Sequence, residues 1–416
     1  MKNYVELQKN YECPCGSGKK YGDCCRKKGF KFVREENQII KQVPMNKEVE
    51  ILFSELQRVF KEYYGRDCGQ NDYVAAFAPI YNDRMLLEAI DLFRESNFPE
   101  NKIYAYYKSN GLFPCDENIE LLSEKDIEVF ESLCNTYDEQ MEATMDSGVS
   151  IIQFVAFANS FIEEQLEYTV TALISCMNNF IRRHSNENNI RQMKIEKEID
   201  YCIFSALKTI KTLESVNKLR KEHLPECIYS LGRSIFENYI YMVNINRDTQ
   251  MFKEKIVPKV DDERYVFETY TNGKINYNKV IEKATGKSIN LKNNVKNLAE
   301  NLPYETDKEL YTLFYEVACQ YVQVDVMSAK SYFSIYDPYD EIDPSLIAGL
   351  IIAILSMILL VQISENSEVE LQYKKDVSFL YGNLSERLKN SLEVAKCDPE
   401  HSNAIYDLLI RRLNEK

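Results

Sequence analysis

Glycine, proline and histidine are scarce in this chain, and each scarcity excludes a class of protein. Only 13 glycines and 11 prolines occur in 416 residues, which excludes a collagen-like chain and a low-complexity linker. Hydrophobic residues make up 45% and charged residues 28% of the chain, the composition of a protein that folds around a core. The three histidines lie in no H-E-x-x-H or similar pattern, which argues against a catalytic metal centre built on histidine.

Cysteine is also sparse by the standard of secreted proteins. Twelve cysteines occur in 416 residues, far below the density of small domains held together by disulfides. The first ten residues, MKNYVELQKN, contain no apolar run of the kind found in a secretory signal. These observations predict a protein of the reducing cytoplasm.

Charge is distributed unevenly along the chain. Residues 1–34, called here the basic head, contain nine basic and three acidic residues, a net charge of +6 in a chain whose total is −14, which leaves −20 for the remainder. The overall acidity argues against a protein whose whole surface coats nucleic acid. We expect the head to contact an anionic partner, either RNA, the ribosome or an acidic protein surface; a merely solvated basic flank is the alternative.

Four cysteines of the head fall within 13 positions, in the segment YECPCGSGKKYGDCCRKKG. They are Cys13, Cys15, Cys24 and Cys25. Four soft ligands predict a structural, tetrahedral zinc site, and the glycines between them permit tight turns of the backbone. A disulfide pair and a catalytic zinc are the alternatives, but four thiolates leave no open position for water. The basic neighbours that would offset the negative charge, and that we predict to bind the partner, are Lys19, Lys20, Arg26, Lys27 and Lys28.

The pattern C-P-C-G-S-G-K-K-Y-x-x-C-C resembles the SEC-C motif. This motif is the zinc-binding tail of the SecA translocation ATPase and also occurs as a small appendage on many bacterial proteins. The resemblance covers about residues 11–29. In SecA the tail docks onto the chaperone SecB and the ribosome, so the resemblance implies a docking role for the basic head and implies nothing about catalysis.

The rest of the chain predicts a mainly α fold. Apolar residues repeat every three or four positions over residues 203–216, and Asp146 and Ser150 are placed to cap a helix over 151–182. Alternation around Asn272-Gly273 predicts a hairpin with a type I′ turn. The predicted fold is a small N-terminal zinc knuckle plus a helical bundle with one short β-hairpin excursion.

Composition also suggests the order of the domains. At roughly 150 residues per domain, the length fits two to three domains. We predict a SEC-C-like zinc motif of four cysteines at 1–30, a linker at 31–47, an N-terminal helical region at 48–195 and a helical bundle domain at 196–416.

Residues 344–364 contain no charged residue, so the sequence must be examined for a membrane-spanning helix here. They include LIAGLIIAILSMILLVQI, which is just long enough to cross a bilayer as a helix. Acidic residues flank the stretch on both sides, without a cluster of Lys or Arg to anchor it. We therefore favour a buried central helix, and a membrane-anchored sensor is the alternative.

A second resemblance bears on the bundle. The strings LGRSIFENYIY and ACQYVQVD resemble a bacterial helical family of unknown function that recurs fused to SEC-C motifs and is related to the HEPN bundles. This resemblance covers roughly residues 200–365, and it implies a homodimer. HEPN ribonucleases carry an Arg and a His separated by four to six residues on one helix. This chain has no such pair, and Gln323 stands where that family often has histidine.

Candidate catalytic residues nevertheless gather around one helix of the predicted bundle. They are Arg233, Glu237, Asp325 and His223, with Arg220, Tyr321 and Gln323 as companions. The first two are four residues apart, so they share a helix face and can pair. The leading hypothesis is a cytoplasmic protein whose zinc head docks onto a partner while an acidic bundle acts as effector or scaffold. The alternative is a toxin-like or phage-defence ribonuclease.

Overall fold

The computed structural model describes most of the 416 residues. The described residues are 5–14, 17–27, 29–35, 38–42, 47, 54, 57–58, 61, 65–67, 83–109, 111–114, 122, 124–142, 149–185, 195–292, 294–323, 326–328, 332, 336–397 and 404–415. They divide into two compact units, Met1–Gln153 and Phe154–Lys416.

The first unit begins with a three-stranded antiparallel sheet. Its strands are β1 (Val5–Glu6), β2 (Lys31–Glu35) and β3 (Gln38–Gln42), in the order β1-β2-β3. Phe32 and Val33 of β2 are buried. The predicted linker at 31–47 therefore contains two strands. Its many charged residues suggest a tether, but β2 pairs with β1 and with β3, so these two strands of the segment belong to the sheet.

The first unit also contains three helices whose bounds the structure describes. They are α1 (Asp83–Glu95), α2 (Glu100–Lys108) and α3 (Glu124–Glu142). A separate apolar cluster joins them, with Phe93 near its centre and its ring 4.9 Å from that of Tyr106. Such aromatic pairs stabilise small cores beyond the area that they bury.

The second unit is a helical bundle with a small sheet. Its longer helices are α4 (Ile151–His184), whose first residues fall in the first unit, α5 (Glu198–Lys221), α6 (Pro225–Arg247), α7 (Val295–Glu300), α8 (Glu305–Leu310), α9 (Glu316–Val322), α10 (Pro344–Glu365), α11 (Leu371–Lys396) and α12 (Ala404–Asn414). A π-helical turn, Tyr311–Tyr315, joins α8 to α9. The mainly α fold class is confirmed.

Helix α10 is the centre of the bundle. It packs against α5, α6 and α11, and nearly all of its side chains are buried. Asp343 caps it by accepting a hydrogen bond from the Ser345 amide at 2.7 Å, and Pro344 occupies its first turn. Among the described residues it is the one helix long and apolar enough to cross a membrane. Its burial inside the unit fits the core helix of a soluble protein, because a helix that is apolar on every side must be covered on every side.

The predicted hairpin lies between β4 (Tyr265–Thr269) and β5 (Ile275–Glu282), and β6 (Ser288–Asn290) extends it to three strands. The predicted type I′ turn is wrong. Such a turn needs positive φ at both central residues, but only Gly273, at φ +80°, has it. The amide of Gly273 donates to the Tyr270 carbonyl, and that of Tyr270 donates to the Lys274 carbonyl. The hairpin is therefore closed by a loop longer than the two residues of a type I′ turn, in which a glycine with positive φ follows the turn.

Candidate metal centre

Three cysteine side chains converge in the basic head. Cys13 and Cys25 are 3% and 4% exposed, and Cys24 is half-buried. Their Sγ atoms all lie within 4.8 Å of one another. Cys15, the fourth predicted ligand, lies outside the described residues. Three thiols at this spacing can hold a metal ion.

Two short backbone segments bring these thiols together. The amide of Cys13 donates to the Lys19 carbonyl at 2.8 Å, which closes the loop between them. Glu12 and Lys20 pair as an antiparallel bridge. A single 3₁₀ turn, Tyr21–Asp23, then places Cys24 and Cys25 back against Cys13.

Two glycines permit this path. Gly18 has φ +69°, the left-handed region that other residues adopt only with strain. At Gly22 a Cβ atom would lie 3.0 Å from both the Cβ and the carbonyl oxygen of Lys9. A side chain there would push the two strands of the loop apart, so the motif requires glycine at both positions.

Tyr21 anchors the loop to the sheet. It is fully buried, donates a hydrogen bond to the Phe30 carbonyl at 3.2 Å and accepts one from the Phe32 amide at 3.1 Å. Its ring meets that of Phe32 edge to face, with centroids 5.7 Å apart. Burial raises the pKa of the Tyr21 phenol, so it stays protonated and can donate at neutral pH. Folding of the sheet and of the cysteine loop are therefore coupled.

The donor set fits zinc. Zn–S bonds of about 2.3 Å in a tetrahedron place sulfur atoms roughly 3.8 Å apart, and the limit of 4.8 Å between the three Sγ atoms accommodates this spacing. The Ser17 hydroxyl lies 3.2 Å from Cys24 Sγ and can support a thiolate there. Cys13, Cys24 and Cys25 would hold the ion.

The predicted partner-binding residues differ in whether a carboxylate pairs with them. Lys19 and Lys20 are exposed, and no carboxylate of the described residues pairs with them. Arg26 lies 3.4 Å from Glu6 and Lys27 lies 3.2 Å from Asp23, both in solvent-exposed pairs that contribute little to stability. Lys28 lies outside the described residues. All four described cations remain accessible to an anionic surface.

The candidate catalytic residues fall into two groups. In the first, the Nε and Nη2 atoms of Arg233 lie 3.1 and 3.0 Å from the same oxygen, Oε1 of Glu237. The Tyr315 hydroxyl, from the π-helical turn, donates to that oxygen at 2.6 Å. Burial, together with this hydrogen bond, raises the pKa of Tyr315. The histidine nearest to Arg233 in sequence, His223, pairs instead with Asp343.

The second group lies at the end of α5. His223 Nδ1 is 2.8 Å from Asp343 Oδ2, and Arg220, which is 2% exposed, pairs with Glu163 at 3.0 Å. Asp343 is also the cap of α10, so its role here is explained by the fold. Arg220 and His223 thus form ion pairs with carboxylates other than that of Glu237.

The remaining described candidates, Tyr321 and Gln323, lie at the carboxyl end of α9. Tyr321 stacks on Tyr229, with ring centroids 5.4 Å apart, and Gln323 ends α9. Asp325 lies outside the described residues.

The structure also contains a buried polar network that the sequence analysis does not predict. Asp307 is fully buried, and its Oδ1 accepts from Arg412 Nε at 2.6 Å while its Oδ2 accepts from the Tyr239 hydroxyl at 2.5 Å. Arg412 Nη2 also donates to the Tyr239 oxygen at 3.2 Å. The pKa of Asp307 is raised, because desolvation outweighs the lowering by Arg412 and Tyr239. This network ties together α6, α8 and α12.

Comparison with known proteins identifies one segment. Residues 12–27 match the SEC-C motif family, which confirms the resemblance drawn from the cysteine pattern. No curated protein and no solved structure matches the chain.

Proposed function

We propose that the protein binds one zinc ion through the SEC-C motif and uses the basic head around it to dock onto an anionic partner in the cytoplasm. The acidic bundle of the second unit then acts as effector or scaffold. The observation that carries the zinc proposal is the convergence of Cys13, Cys24 and Cys25 within the segment that matches the motif. The exposed Lys19 and Lys20 beside it, which pair with no described carboxylate, support docking.

Zinc and docking are physically linked. The ion would hold the loop that carries Lys19 and Lys20 between Cys13 and Cys24, so the spacing of the two ammonium groups depends on the metal. A flexible loop would lose conformational entropy on binding, whereas a loop closed by metal has lost it already. The partner class is a protein, the ribosome or RNA, and a homodimer is implied only by the resemblance to HEPN bundles.

Metal content is tested first, on the full chain. Inductively coupled plasma mass spectrometry should find about one zinc per chain in the wild type and none in Cys13→Ser with Cys24→Ser. Cys227→Ser with Cys397→Ser removes two exposed thiols outside the motif and is the matched control. Equal zinc in both double variants, or a different metal in the wild type, would refute the zinc assignment.

Docking is tested separately, by co-sedimentation with ribosomes and by pull-down of RNA and of acidic proteins. Lys19→Gln with Lys20→Gln should keep the zinc and lose the partner, and the loss should resemble that caused by high salt. Retention of every partner by this variant would contradict docking through the head while leaving zinc binding intact.

The ribonuclease alternative has one observation in its favour. Arg233, Glu237 and Tyr315 meet at a π-helical turn, a feature frequent at functional sites, and the first two side chains are each 30% exposed. This group could hold a phosphate, but general acid–base cleavage also needs a group that moves a proton. Docking therefore remains the leading proposal.

A further inference from the structure

The small sheet of the second unit is basic within an acidic chain. Residues 265–292, from β4 to just beyond β6, contain five lysines and two glutamates. Three of the lysines are near the hairpin end of the sheet: Lys274, Lys279 and Lys292. The acidic residues 261–263 precede β4 at the opposite end, where Lys283 Nζ donates to the Asp262 carbonyl.

The lysines at the hairpin end are available to a ligand. Lys274 and Lys292 are exposed, and no carboxylate of the described residues pairs with either. Lys279 has a single, weak ion pair, 3.9 Å from Glu268. Positive charge that is not neutralised within the protein attracts polyanions.

A bulge in β5 presents an aromatic ring beside these lysines. Phe267 pairs with Val280 and Glu268 with Asn276, so the three residues 277–279 of β5 have no partner on β4. Asn276 and Val280 are buried, whereas all three residues between them are exposed. Bulges of this kind redirect side chains away from the sheet.

The ring of Tyr277 is both exposed and held in place. It is 69% exposed, and its ring contacts Phe267 edge to face, with centroids 5.5 Å apart. Tyr270, at the start of the turn, is 51% exposed. Large exposed aromatics cost solvation free energy and need an explanation when they cluster with unpaired cations.

We propose that Tyr270, Lys274, Tyr277, Lys279 and Lys292, called here the sheet surface, bind single-stranded nucleic acid. Unpaired bases stack on exposed aromatic rings, and lysines contact the phosphates that link them. A duplex offers phosphates but hides the faces of its bases, so the tyrosines favour a single strand. This proposal does not depend on docking through the basic head.

The test measures binding of a fluorescein-labelled oligouridylate to the full chain by anisotropy at several salt concentrations. Tyr277→Ala should weaken binding at least about fivefold, because stacking contributes roughly 1–3 kcal/mol per base. Tyr277→Phe keeps the ring and should bind as the wild type does. Phe379→Ala, which removes a ring that is 75% exposed on α11, is the matched control and should have no effect.

The phosphate contacts have their own signature. Replacing Lys274, Lys279 and Lys292 by Gln should lower the slope of log K against log salt by about 2, because each phosphate contact with a single strand contributes about 0.7. A second triple variant, with Gln at three exposed lysines of α5, should leave the slope unchanged. The lysines replaced in this control are Lys208, Lys211 and Lys218.

Four results would overturn the proposal. The first is no binding by the wild type, and the second is equal binding by wild-type, Tyr277→Ala and sheet-lysine variants. The third is a loss confined to Lys19→Gln with Lys20→Gln, which would assign the nucleic acid to the head. An unlabelled duplex that competes as well as the single strand, with no effect of Tyr277→Ala, would also exclude base stacking.

Discussion

Replacing Arg412 by methionine should cost about 3–5 kcal/mol of folding free energy, because it leaves a buried carboxylate without its cation. Arg412 is 4% exposed and Asp307 is fully buried, so water cannot take over the lost interaction. The guanidinium also lies 4.4 Å above the ring of Tyr304, a contact that the variant loses. Such a cost is a large share of the roughly 5–15 kcal/mol that stabilises a typical protein.

Urea unfolding followed by far-ultraviolet circular dichroism measures this cost. The midpoint should fall while the slope m stays constant, because the surface exposed on unfolding hardly changes. Arg411→Met is the matched control. It removes the neighbouring arginine, which is 55% exposed and pairs with Glu309 on the surface, and it should leave the midpoint almost unchanged.

The network also predicts rescue. A triple variant, Asp307→Leu with Arg412→Met and Tyr239→Phe, removes every polar partner and should recover most of the stability, because no group is left buried and unsatisfied. If Arg412→Met alone costs under about 1 kcal/mol, or if the triple variant is less stable than the single one, the reasoning about an uncompensated charge fails.

The cost of Arg412→Met should grow with pH. The pKa of Asp307 in the folded protein is raised above its ordinary 3.8, so this carboxyl favours folding below pH 3.8 and loses that contribution as pH rises through the folded pKa. Loss of Arg412 removes a group that lowers this pKa, and therefore raises it further. The difference between wild type and variant should be smallest in acid, where Asp307 is protonated in both, and should increase toward neutral pH.

Three further perturbations test other parts of the molecule. Removal of the metal by a strong chelator should unfold the head but keep the helical circular dichroism signal, because the predicted ligands all lie within residues 13–25. Gly232→Ala should lower the melting temperature, because its Cβ would lie 2.0 Å from Ile352 Cδ1. Overpacking costs about 1–3 kcal/mol, which exceeds the gain in helix propensity from alanine. Gly382→Ala should raise the melting temperature, because its Cβ would have no heavy atom within 4 Å. If the ribonuclease alternative is correct, expression of the wild-type chain in growing bacteria should fragment total RNA, and the double variant Arg233→Ala with Glu237→Ala should leave the RNA intact. Intact RNA in both cultures would exclude constitutive cleavage.

Features that depend on neighbours in sequence could be predicted. The thiols of the metal centre lie within one short segment, so their spacing alone indicates the chemistry, and the family match confirms the motif. The capping role of Ser150 is equally local, whereas Asp146, the other predicted cap, lies outside the described residues. Its hydroxyl accepts from the Gln153 amide at 3.3 Å, and the Gln153 side chain accepts from the Ser150 amide at 3.2 Å.

Features that depend on distant pairing could not be predicted. Strands β2 and β3 have only five residues each, and they are strands because β2 pairs with β1 on one side and with β3 on the other. Likewise Asp307 and Arg412 are 105 residues apart, and no residue close to Asp307 in sequence indicates that it has a buried partner. For Arg412 there was a signal, because it follows the buried Leu408 by four residues and Leu409 by three, which places it on the apolar face of α12.

The acidity of the rest of the chain determines how the two proposed binding surfaces would work. Residues outside the basic head carry −20 in total, so a polyanion is repelled by most of the surface. That repulsion is screened beyond about 8 Å at physiological ionic strength, whereas contacts with unpaired lysines act at shorter range. A nucleic acid would therefore be held where lysines outnumber acids locally, as they do at the head and at the sheet surface. Acidic surroundings thus favour defined contacts over general coating, and the α5 variant with Gln at Lys208, Lys211 and Lys218 tests whether exposed lysines on their own are sufficient to hold a strand.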